Sequence, residues 1–98
     1  MSRLVKLDPD AQAEFDESYD FYEGRQAGLG ERFADQVQRV LDRIAVNPAL
    51  HAAVLGTVRK AVVRQFPFVV LYREEAAGVR VLAVFHTSRD PADWHRRT

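Results

Sequence analysis

A stripe of apolar residues between positions 29 and 44 limits the folds open to this chain. Its members recur every three or four positions, which is the spacing of one helix face: Leu29, Phe33, Val37, Val40, Leu41 and Ile44. Asn47 and Pro48 follow directly and indicate where the helix ends. The stripe therefore predicts an amphipathic helix from about Leu29 to Ala45, with one face that must be buried against another part of the fold.

An earlier helix is predicted from about Asp10 to Arg25. Its apolar side carries Ala11, Phe15, Tyr19 and Tyr22, and its other positions form an acidic outer surface that includes Asp10, Glu14, Asp16, Glu17, Asp20 and Glu23. Asp8 suits the N-cap and Pro9 the first helical position. Gly28 and Gly30 then separate the two helices, so we expect an antiparallel helical hairpin.

The remainder of the chain predicts β-strands. A short β-prone segment at 3–7 precedes the first helix, and three segments rich in Val, Phe, Leu and Tyr follow the second, at 58–64, 66–73 and 79–86. Alternation within 66–73 places Phe66, Phe68, Val70 and Tyr72 on one face, and Val69, Leu71 and Arg73 on the other. Both faces therefore look apolar, and the hairpin can cover only one of them. The other face is left to the C-terminus or to a partner.

These patterns predict an α+β fold. It comprises an N-terminal strand, a two-helix antiparallel hairpin packed on an antiparallel sheet of three to four strands, and a short C-terminal helix that begins at Asp90 and Pro91. Segment 48–57 is expected to be a loop that Leu50, Val54 and Leu55 anchor to the core. With 98 residues, of which 47% are apolar, residues 1–98 are expected to form a single domain.

Composition excludes several functional classes. The chain has no cysteine, and its three histidines, His51, His86 and His95, match no metal-binding spacing, so we expect neither a metal nor a cofactor. No glycine-rich phosphate loop or nucleophile elbow is present. Apolar runs are far shorter than the roughly 20 residues that cross a bilayer, and no secretory signal is recognisable. We therefore expect a soluble, cytoplasmic protein without a membrane partner.

The charges balance overall but not along the chain. Residues 1–58 hold six Lys/Arg and ten Asp/Glu, a net −4, whereas residues 59–98 hold eight and four, a net +4. The basic half could form a docking face for an acidic partner, or the two halves could simply be solvated faces of opposite sign. A net charge of zero argues against a protein whose affinity comes mainly from phosphate contacts.

Two C-terminal segments resemble the RelE/ParE family of toxins from type II toxin–antitoxin systems. In the first, Arg64 precedes the aromatic-proline-aromatic sequence 66–68, and the strand ends at Tyr72. In the second, an apolar strand ends at His86 and is followed by an Arg-x-Pro-x-x-Trp pattern at 89–94. The order of strand, helical hairpin and three further strands fits the same family over nearly the whole chain.

The resemblance implies a toxin that a cognate antitoxin neutralises in a hetero-oligomeric complex, and it leaves two targets open. ParE-like members inhibit DNA gyrase, whereas RelE-like members cleave messenger RNA on the ribosome. For the nuclease, Arg64 would stabilise the charge of the transition state, His86 would serve as general base or acid, and Arg89 would hold the scissile phosphate.

The residues favour the ParE branch, and hence a protein that is not an enzyme. Trp94 stands where some nuclease members bring a tyrosine, and an indole N–H cannot transfer a proton usefully. In this interpretation Arg64, His86, Arg89 and Trp94 are candidates for target binding. Each also has a structural interpretation: the arginines could pair with Glu74, Asp90 or Asp93, Trp94 could cover the edge of the core, and His86 could be a hydrogen-bonded structural residue.

Contacts with the antitoxin are expected where apolar and basic side chains adjoin. Phe21 points away from the main stripe of the first helix, and the sheet offers further candidates: Phe66, Phe68, Tyr72 and Arg73. An alternative from another functional class remains, a non-toxic protein-binding module with the same fold.

Overall fold

The computed structural model describes residues 2–98 and confirms the predicted α+β class. In chain order its elements are β1 (Val5–Leu7), α1 (Pro9–Arg25), α2 (Leu29–Val46), β2 (Ala53–Leu55), β3 (Val58–Val62), β4 (Phe68–Glu75), β5 (Gly78–His86) and α3 (Ala92–His95). A single 3-10 turn, Pro48–Leu50, follows α2. Among residues 2–98, no helix has both the length and the apolar character that a membrane span requires.

The sheet has one strand more than expected. Residues 2–98 contribute five strands in the order β1-β5-β4-β3-β2. β1 pairs with β5 in parallel, with Val5 opposite Val79, whereas the other pairs are antiparallel. The sheet is therefore mixed. The connection between the parallel strands β1 and β5 is long, since it includes both helices of the hairpin and strands β2 to β4.

The predicted loop before β3 contains the additional strand, β2. This edge strand pairs with β3 through Ala53 opposite Arg59. The expected anchoring of this segment is wrong, since Leu50, Val54 and Leu55 are 60%, 45% and 39% exposed. Backbone hydrogen bonds to β3 hold the segment at the sheet edge that lies away from α1, so its apolar side chains need not enter the core.

The helical hairpin covers one face of the sheet, as the apolar stripes predict. Phe33, Val37, Val40 and Ile44 of α2 are at most 1% exposed, and they belong to the same core as the β4 side chains Phe68, Val70 and Tyr72. α1 contributes less, because Ala11 is fully buried while Phe15 and Tyr22 are only partly so. α2 is thus the principal helix of the core.

The hairpin closes tightly where the helices meet. The two carboxylate oxygens of Glu23 accept hydrogen bonds from the backbone N–H groups of Gly28 and Gly30, each at 2.9 Å. A Cβ atom on Gly30 would lie 2.8 Å from the carbonyl oxygen of Tyr19. Gly30 therefore allows the start of α2 to approach the backbone of α1, and Glu23 satisfies the exposed N–H groups there.

The second face of the sheet is partly covered by α3. Trp94, 6% exposed, packs there with Val69, Leu71 and Phe85. The helix starts one residue later than predicted, with Pro91 at the N-cap position, and the carboxylate of Asp90 just before it accepts a hydrogen bond from the backbone N–H of Ala92 at 3.0 Å. The second face was expected to be covered by the C-terminus or by a partner, and the C-terminal helix covers part of it.

The start of α1 is as predicted, with Asp8 at the N-cap and Pro9 as the first helical residue. The Asp8 side chain, however, makes no capping hydrogen bond. Instead its two carboxylate oxygens accept hydrogen bonds from Arg80 Nε at 2.8 and 3.0 Å, across to β5. A charge-assisted contact to a neighbouring strand has replaced the local cap.

Candidate functional site

A groove between α1 and the C-terminal end of β5 brings together two residues of the sequence motif. This α1–β5 groove has a volume of about 310 Å³ and is lined by Glu14, Glu17, Ser18, Phe21, Tyr22, Phe68, Val84, His86 and Arg89. His86 ends β5, and Arg89 lies in the turn that leads to α3. Phe21, 55% exposed, adds a large apolar surface from α1.

The ring of His86 has its nitrogen lone pair occupied. Its Nδ1 atom accepts a hydrogen bond from the backbone N–H of Ser88 at 3.0 Å, and the Ser88 hydroxyl lies 2.7 Å from the same atom. Because a backbone N–H can only donate, Nδ1 must be the acceptor, and in the neutral ring the proton is on Nε2. The ring can therefore offer an N–H to a ligand, but in this arrangement it has no lone pair with which to act as a general base.

Arg89 is also engaged within the protein. Its guanidinium donates to a Glu14 carboxylate oxygen at 2.7 Å and lies near an Asp93 carboxylate oxygen at 3.4 Å. The same guanidinium carbon sits 4.3 Å from the centre of the Phe85 ring. Two carboxylates and an aromatic face thus hold Arg89 in place and partly balance its charge.

Glu14 is the residue of this site that sequence reasoning missed. It was expected on the acidic outer surface of α1, yet its side chain is only 12% exposed. One oxygen accepts hydrogen bonds from the Val84 N–H at 3.1 Å and from Arg97 at 3.0 Å, and the other accepts from Arg97 at 2.8 Å and from Arg89. The parallel pairing with β1 ends at Val81, and beyond that point Glu14 pairs with the β5 edge.

Arg64 lies outside the α1–β5 groove. It lines a polar depression beside α2, together with Gln36, Arg39, Asp42, Arg43 and Gln65. Its turn follows β3 and is at the same end of the sheet as His86, because β4 runs antiparallel to both neighbouring strands. The side chains nevertheless face different helices. Arg64 thus lines a different cavity from His86 and Arg89, although all three lie at adjacent strand ends on the same end of the sheet.

Trp94 has the structural role that the sequence allowed for it. The ring is buried under the second face of the sheet and forms one wall of a further groove there, about 400 Å³ in volume. Lys60 and His95 stand at this groove, and Arg89 lines both it and the α1–β5 groove. Arg89 thus separates the two grooves, and the indole supports the wall more than it offers a contact surface.

The residues predicted to contact an antitoxin divide by accessibility. Phe21 is exposed, and Arg73 is partly exposed and paired with Glu75 at 3.0 Å. Phe66 is half-buried among the aromatic rings of Tyr22 and Phe33.

Phe68 and Tyr72 need correction as antitoxin contacts. They are 5% and 0% exposed, because both face the helical hairpin and not the uncovered side of the sheet. The hydroxyl of Tyr72 donates to the carbonyl oxygen of Pro48 at 2.7 Å. Tyr72 therefore offers no surface to a partner, and Phe68 offers only the small part of its ring that lines the α1–β5 groove.

The charge difference between the two halves of the chain is largely balanced internally. Arg80 pairs with Asp8, Arg89 with Glu14, and Arg97 with Glu14 and Asp10, so that cations of the basic half meet carboxylates of the acidic half. Among residues 2–98, no group of three or more histidine or carboxylate side chains is arranged to hold a metal ion. The unequal charges of the two halves are therefore brought together in ion pairs between the start of α1 and the segment from β5 to the C-terminus.

Comparisons with known proteins identify relatives of this arrangement. A family model described as the ParE toxin of the type II toxin–antitoxin system parDE matches residues 5–91. A solved structure described as the chromosomal ParDE TA system from P. aeruginosa matches with a TM-score of 0.77 and 15% sequence identity, over 89% of this chain and 98% of that chain. At this identity the structural match shows a shared fold. No curated protein matches the chain.

Proposed function

Because the chain belongs to the ParE family of toxins from type II toxin–antitoxin systems, we propose that DNA gyrase is its target. A toxin of this class has an antitoxin as its partner. Inhibition by binding requires surface and shape, and no proton-transfer groups. The cytoplasm, where gyrase acts, is the proposed site of action.

The state of the motif residues supports inhibition by binding over RNA cleavage. A ribonuclease of the RelE kind would need a base, a cation to hold the phosphate and a cation for the developing charge within one site. Here the lone pair of His86 accepts from Ser88, Arg89 is paired with Glu14, and Arg64 lines a different depression. The occupied lone pair of His86, which opposes its role as general base though not as general acid, is the observation that carries this choice.

We place the gyrase-binding surface and the antitoxin-binding surface on the same groove. Phe21, a candidate antitoxin contact, and His86 and Arg89, candidate target contacts, line the α1–β5 groove together. An amphipathic segment of the antitoxin could insert an apolar side chain beside Phe21 and place a polar group on the Nε2–H of His86. Occupation of the groove would then exclude the target, which explains neutralisation by direct competition.

A pair of assays tests the target. The chain is first expressed alone in a bacterium, where growth arrest is expected; unaffected growth would support the non-toxic binding module instead. Purified protein is then added to a gyrase supercoiling reaction and, separately, to ribosomes programmed with messenger RNA. We expect loss of supercoiling and intact message. Cleavage of the message at codon positions with supercoiling unchanged would reverse the choice of target.

Single substitutions separate the two mechanisms further. If cleavage occurs, His86→Ala and Arg64→Ala should each abolish it, whereas Arg32→Gln on the exposed surface of α2 should not. If gyrase is the target, His86→Asn should raise the concentration needed for inhibition by only about two- to tenfold, which corresponds to the loss of one hydrogen bond at the edge of the interface.

The shared groove has its own test. Phe21→Ser should leave the fold intact, because the ring is 55% exposed, but it should weaken neutralisation when the antitoxin is co-expressed. Val46→Ala, at a position 65% exposed at the end of α2, is the matched control. Full neutralisation of the Phe21→Ser variant at limiting antitoxin would place the antitoxin contact elsewhere.

A further inference from the structure

The polar depression beside α2 contains three arginines that the rest of the protein leaves unpaired. Arg39 and Arg43 lie one helical turn apart on the outer face of α2, and Arg64 approaches them from the turn after β3. The depression, which we call the arginine depression, has a volume of about 500 Å³. Its other lining residues are Gln36, Asp42 and Gln65.

Six of the twelve arginines in residues 2–98 form no ion pair, and three of those six, Arg39, Arg43 and Arg64, line this one depression. Within residues 2–98, six arginines form ion pairs, namely Arg3, Arg73, Arg80, Arg89, Arg96 and Arg97. Arg39, Arg43 and Arg64 form none over the same range, although Asp42 is adjacent. The Asp42 carboxylate accepts a hydrogen bond from Gln38 at 2.9 Å and forms no ion pair among residues 2–98, so the depression combines three cations with one carboxylate.

The turn that carries Arg64 keeps an unfavourable backbone conformation. Gln65 has a φ of +70°, the one positive value at a non-glycine residue within residues 2–98. Such a conformation costs a non-glycine residue of the order of 1 kcal/mol. Glycine would relieve it, yet the position holds a residue whose amide lines the depression beside Arg64. At a position where the backbone conformation favours glycine, the chain thus has glutamine, whose side chain can form hydrogen bonds.

We propose that the arginine depression binds a short acidic segment of a protein partner. Guanidinium groups donate two parallel hydrogen bonds to a carboxylate, and three of them around one concavity can hold two or three acidic side chains at once. The two glutamines can contact the peptide backbone between those side chains. The site is separate from the α1–β5 groove, so it goes beyond the gyrase proposal and does not depend on it.

The surroundings favour a peptide over nucleic acid. DNA carries a phosphate charge about every 1.7 Å along its axis, and a protein holds it through many contacts over a long surface. Here Asp35 and Asp42 lie on α2 at the border of the depression, on the two sides of Arg39 in sequence. A long polyanion would meet these carboxylates, whereas a segment of a few residues can stay within the depression.

Binding of a labelled peptide tests the site directly. The probe is a fluorescein-labelled ten-residue peptide of alternating Asp and Glu, and fluorescence anisotropy with the purified chain is measured at low ionic strength and at about 0.15 M salt. We expect saturable binding that weakens with salt. The triple variant Arg39→Gln, Arg43→Gln, Arg64→Gln should lose about tenfold in affinity, the sum of three exposed charged contacts.

Control variants separate this site from bulk charge. Arg25→Gln, Arg32→Gln, Arg96→Gln makes the same change in net charge outside the depression and should alter affinity less than about twofold. Replacing Arg39, Arg43 and Arg64 by lysine should recover part of the affinity, because it keeps the charge and loses the paired donors. Circular dichroism establishes that each variant is folded.

Three results would overturn the proposal: no saturable binding of the peptide, equal losses in the two glutamine triple variants, or a duplex DNA that binds more tightly than the peptide through the same arginines. The peptide assay contains no gyrase, so a failure of the peptide to bind would not bear on the proposal that gyrase is the target. A failure of gyrase inhibition would equally leave the peptide result standing.

Discussion

Arg97, one residue before the end of the sequence, lies against Glu14 in the second turn of α1, with two guanidinium-to-carboxylate contacts of 3.0 and 2.8 Å. Arg97 also donates to the carbonyl oxygen of Leu82 at 3.1 Å, while Glu14 accepts from the N–H of Val84. The pair therefore satisfies the edge of β5 beyond the end of β1 and fastens the C-terminal segment to α1. Of the two residues, Glu14 also lines the α1–β5 groove.

Glu14→Gln should destabilise the fold by about 2–3 kcal/mol, because it removes the charge from a mostly buried carboxylate that holds two arginines. Urea denaturation measures the free energy of unfolding. Glu17→Gln, on the exposed surface of the same helix, should change it by less than about 0.5 kcal/mol. Trypsin should also cleave the Glu14→Gln variant faster at Arg96 and Arg97. Equal stability of the two variants would show that Glu14 does not fasten the C-terminus.

Gly78→Ala should be destabilising by about 2–4 kcal/mol. Gly78 starts β5 with a φ of +154°, and a Cβ atom there would lie 2.3 Å from the carbonyl oxygen of Leu4. That oxygen accepts a hydrogen bond from Val79, so the clash would fall on the parallel pairing of β1 with β5. Backbone atoms cannot move aside as a flexible side chain can.

Gly24→Ala is the matched control for Gly78, because a Cβ atom at Gly24 would meet nothing within 4 Å. Gly24 lies within α1, where alanine is favoured over glycine by about 0.5–1 kcal/mol. Thermal unfolding should therefore move the midpoint down for Gly78→Ala and up for Gly24→Ala. A lowered midpoint in both variants would mean that the tight approach at Gly78 is not special.

The fold could be predicted from the sequence where burial follows a local period. The stripe from Leu29 to Ile44 gave the bounds of α2 to within one residue, because its members face a single core. β2 escaped prediction, since Ala53–Leu55 pairs through its backbone while its side chains stay exposed, and so no alternation marks it. Likewise, nothing local tells that β1 runs parallel to β5.

The site could be predicted only in part. The family motif indicated His86 and Arg89, which the structure brings into one groove, but it grouped Arg64 with them. Motif spacing orders residues along the chain and does not say which helix each side chain faces. Glu14 could not be recognised, because its partners lie 70 to 83 residues away, and in sequence it is one of several acidic residues on α1.

Tyr72→Phe should cost about 1–2 kcal/mol although it removes a single oxygen atom. The Tyr72 hydroxyl is buried and donates to the carbonyl oxygen of Pro48, which would lose its partner in the variant. The control is Tyr19→Phe. In the wild type the Tyr19 hydroxyl donates to Glu31 at the surface, and this hydrogen bond raises the pKa of Tyr19 to about 12. The Tyr19 variant should lose less stability, and a larger loss there would contradict the buried role of Tyr72.

His51 should make the stability of the fold depend on pH in mildly acid solution. Its Nδ1 atom lies 3.2 Å from the Tyr72 hydroxyl, and since that hydroxyl donates to Pro48, Nδ1 must carry the proton that it donates to Tyr72. Desolvation, and then the charge of Arg43, lower the pKa of His51 below its ordinary value of 6.5. Arg59, which donates to the His51 carbonyl oxygen at 2.6 Å, adds a further cation to these surroundings.

The sign of the effect follows from proton uptake. Below about pH 6.5 the unfolded chain binds a proton on His51 before the folded chain does, so stability present above that pH is lost as the pH falls towards the folded-state pKa. His51→Asn keeps an N–H donor for Tyr72 but cannot titrate, so its stability should fall less than that of the wild type between about pH 7.5 and pH 5. His95→Asn, at an exposed position in α3, is the control for replacing a histidine elsewhere in the chain. Parallel slopes for the wild type and His51→Asn in urea denaturation across this range would assign the acid sensitivity to the carboxylates instead.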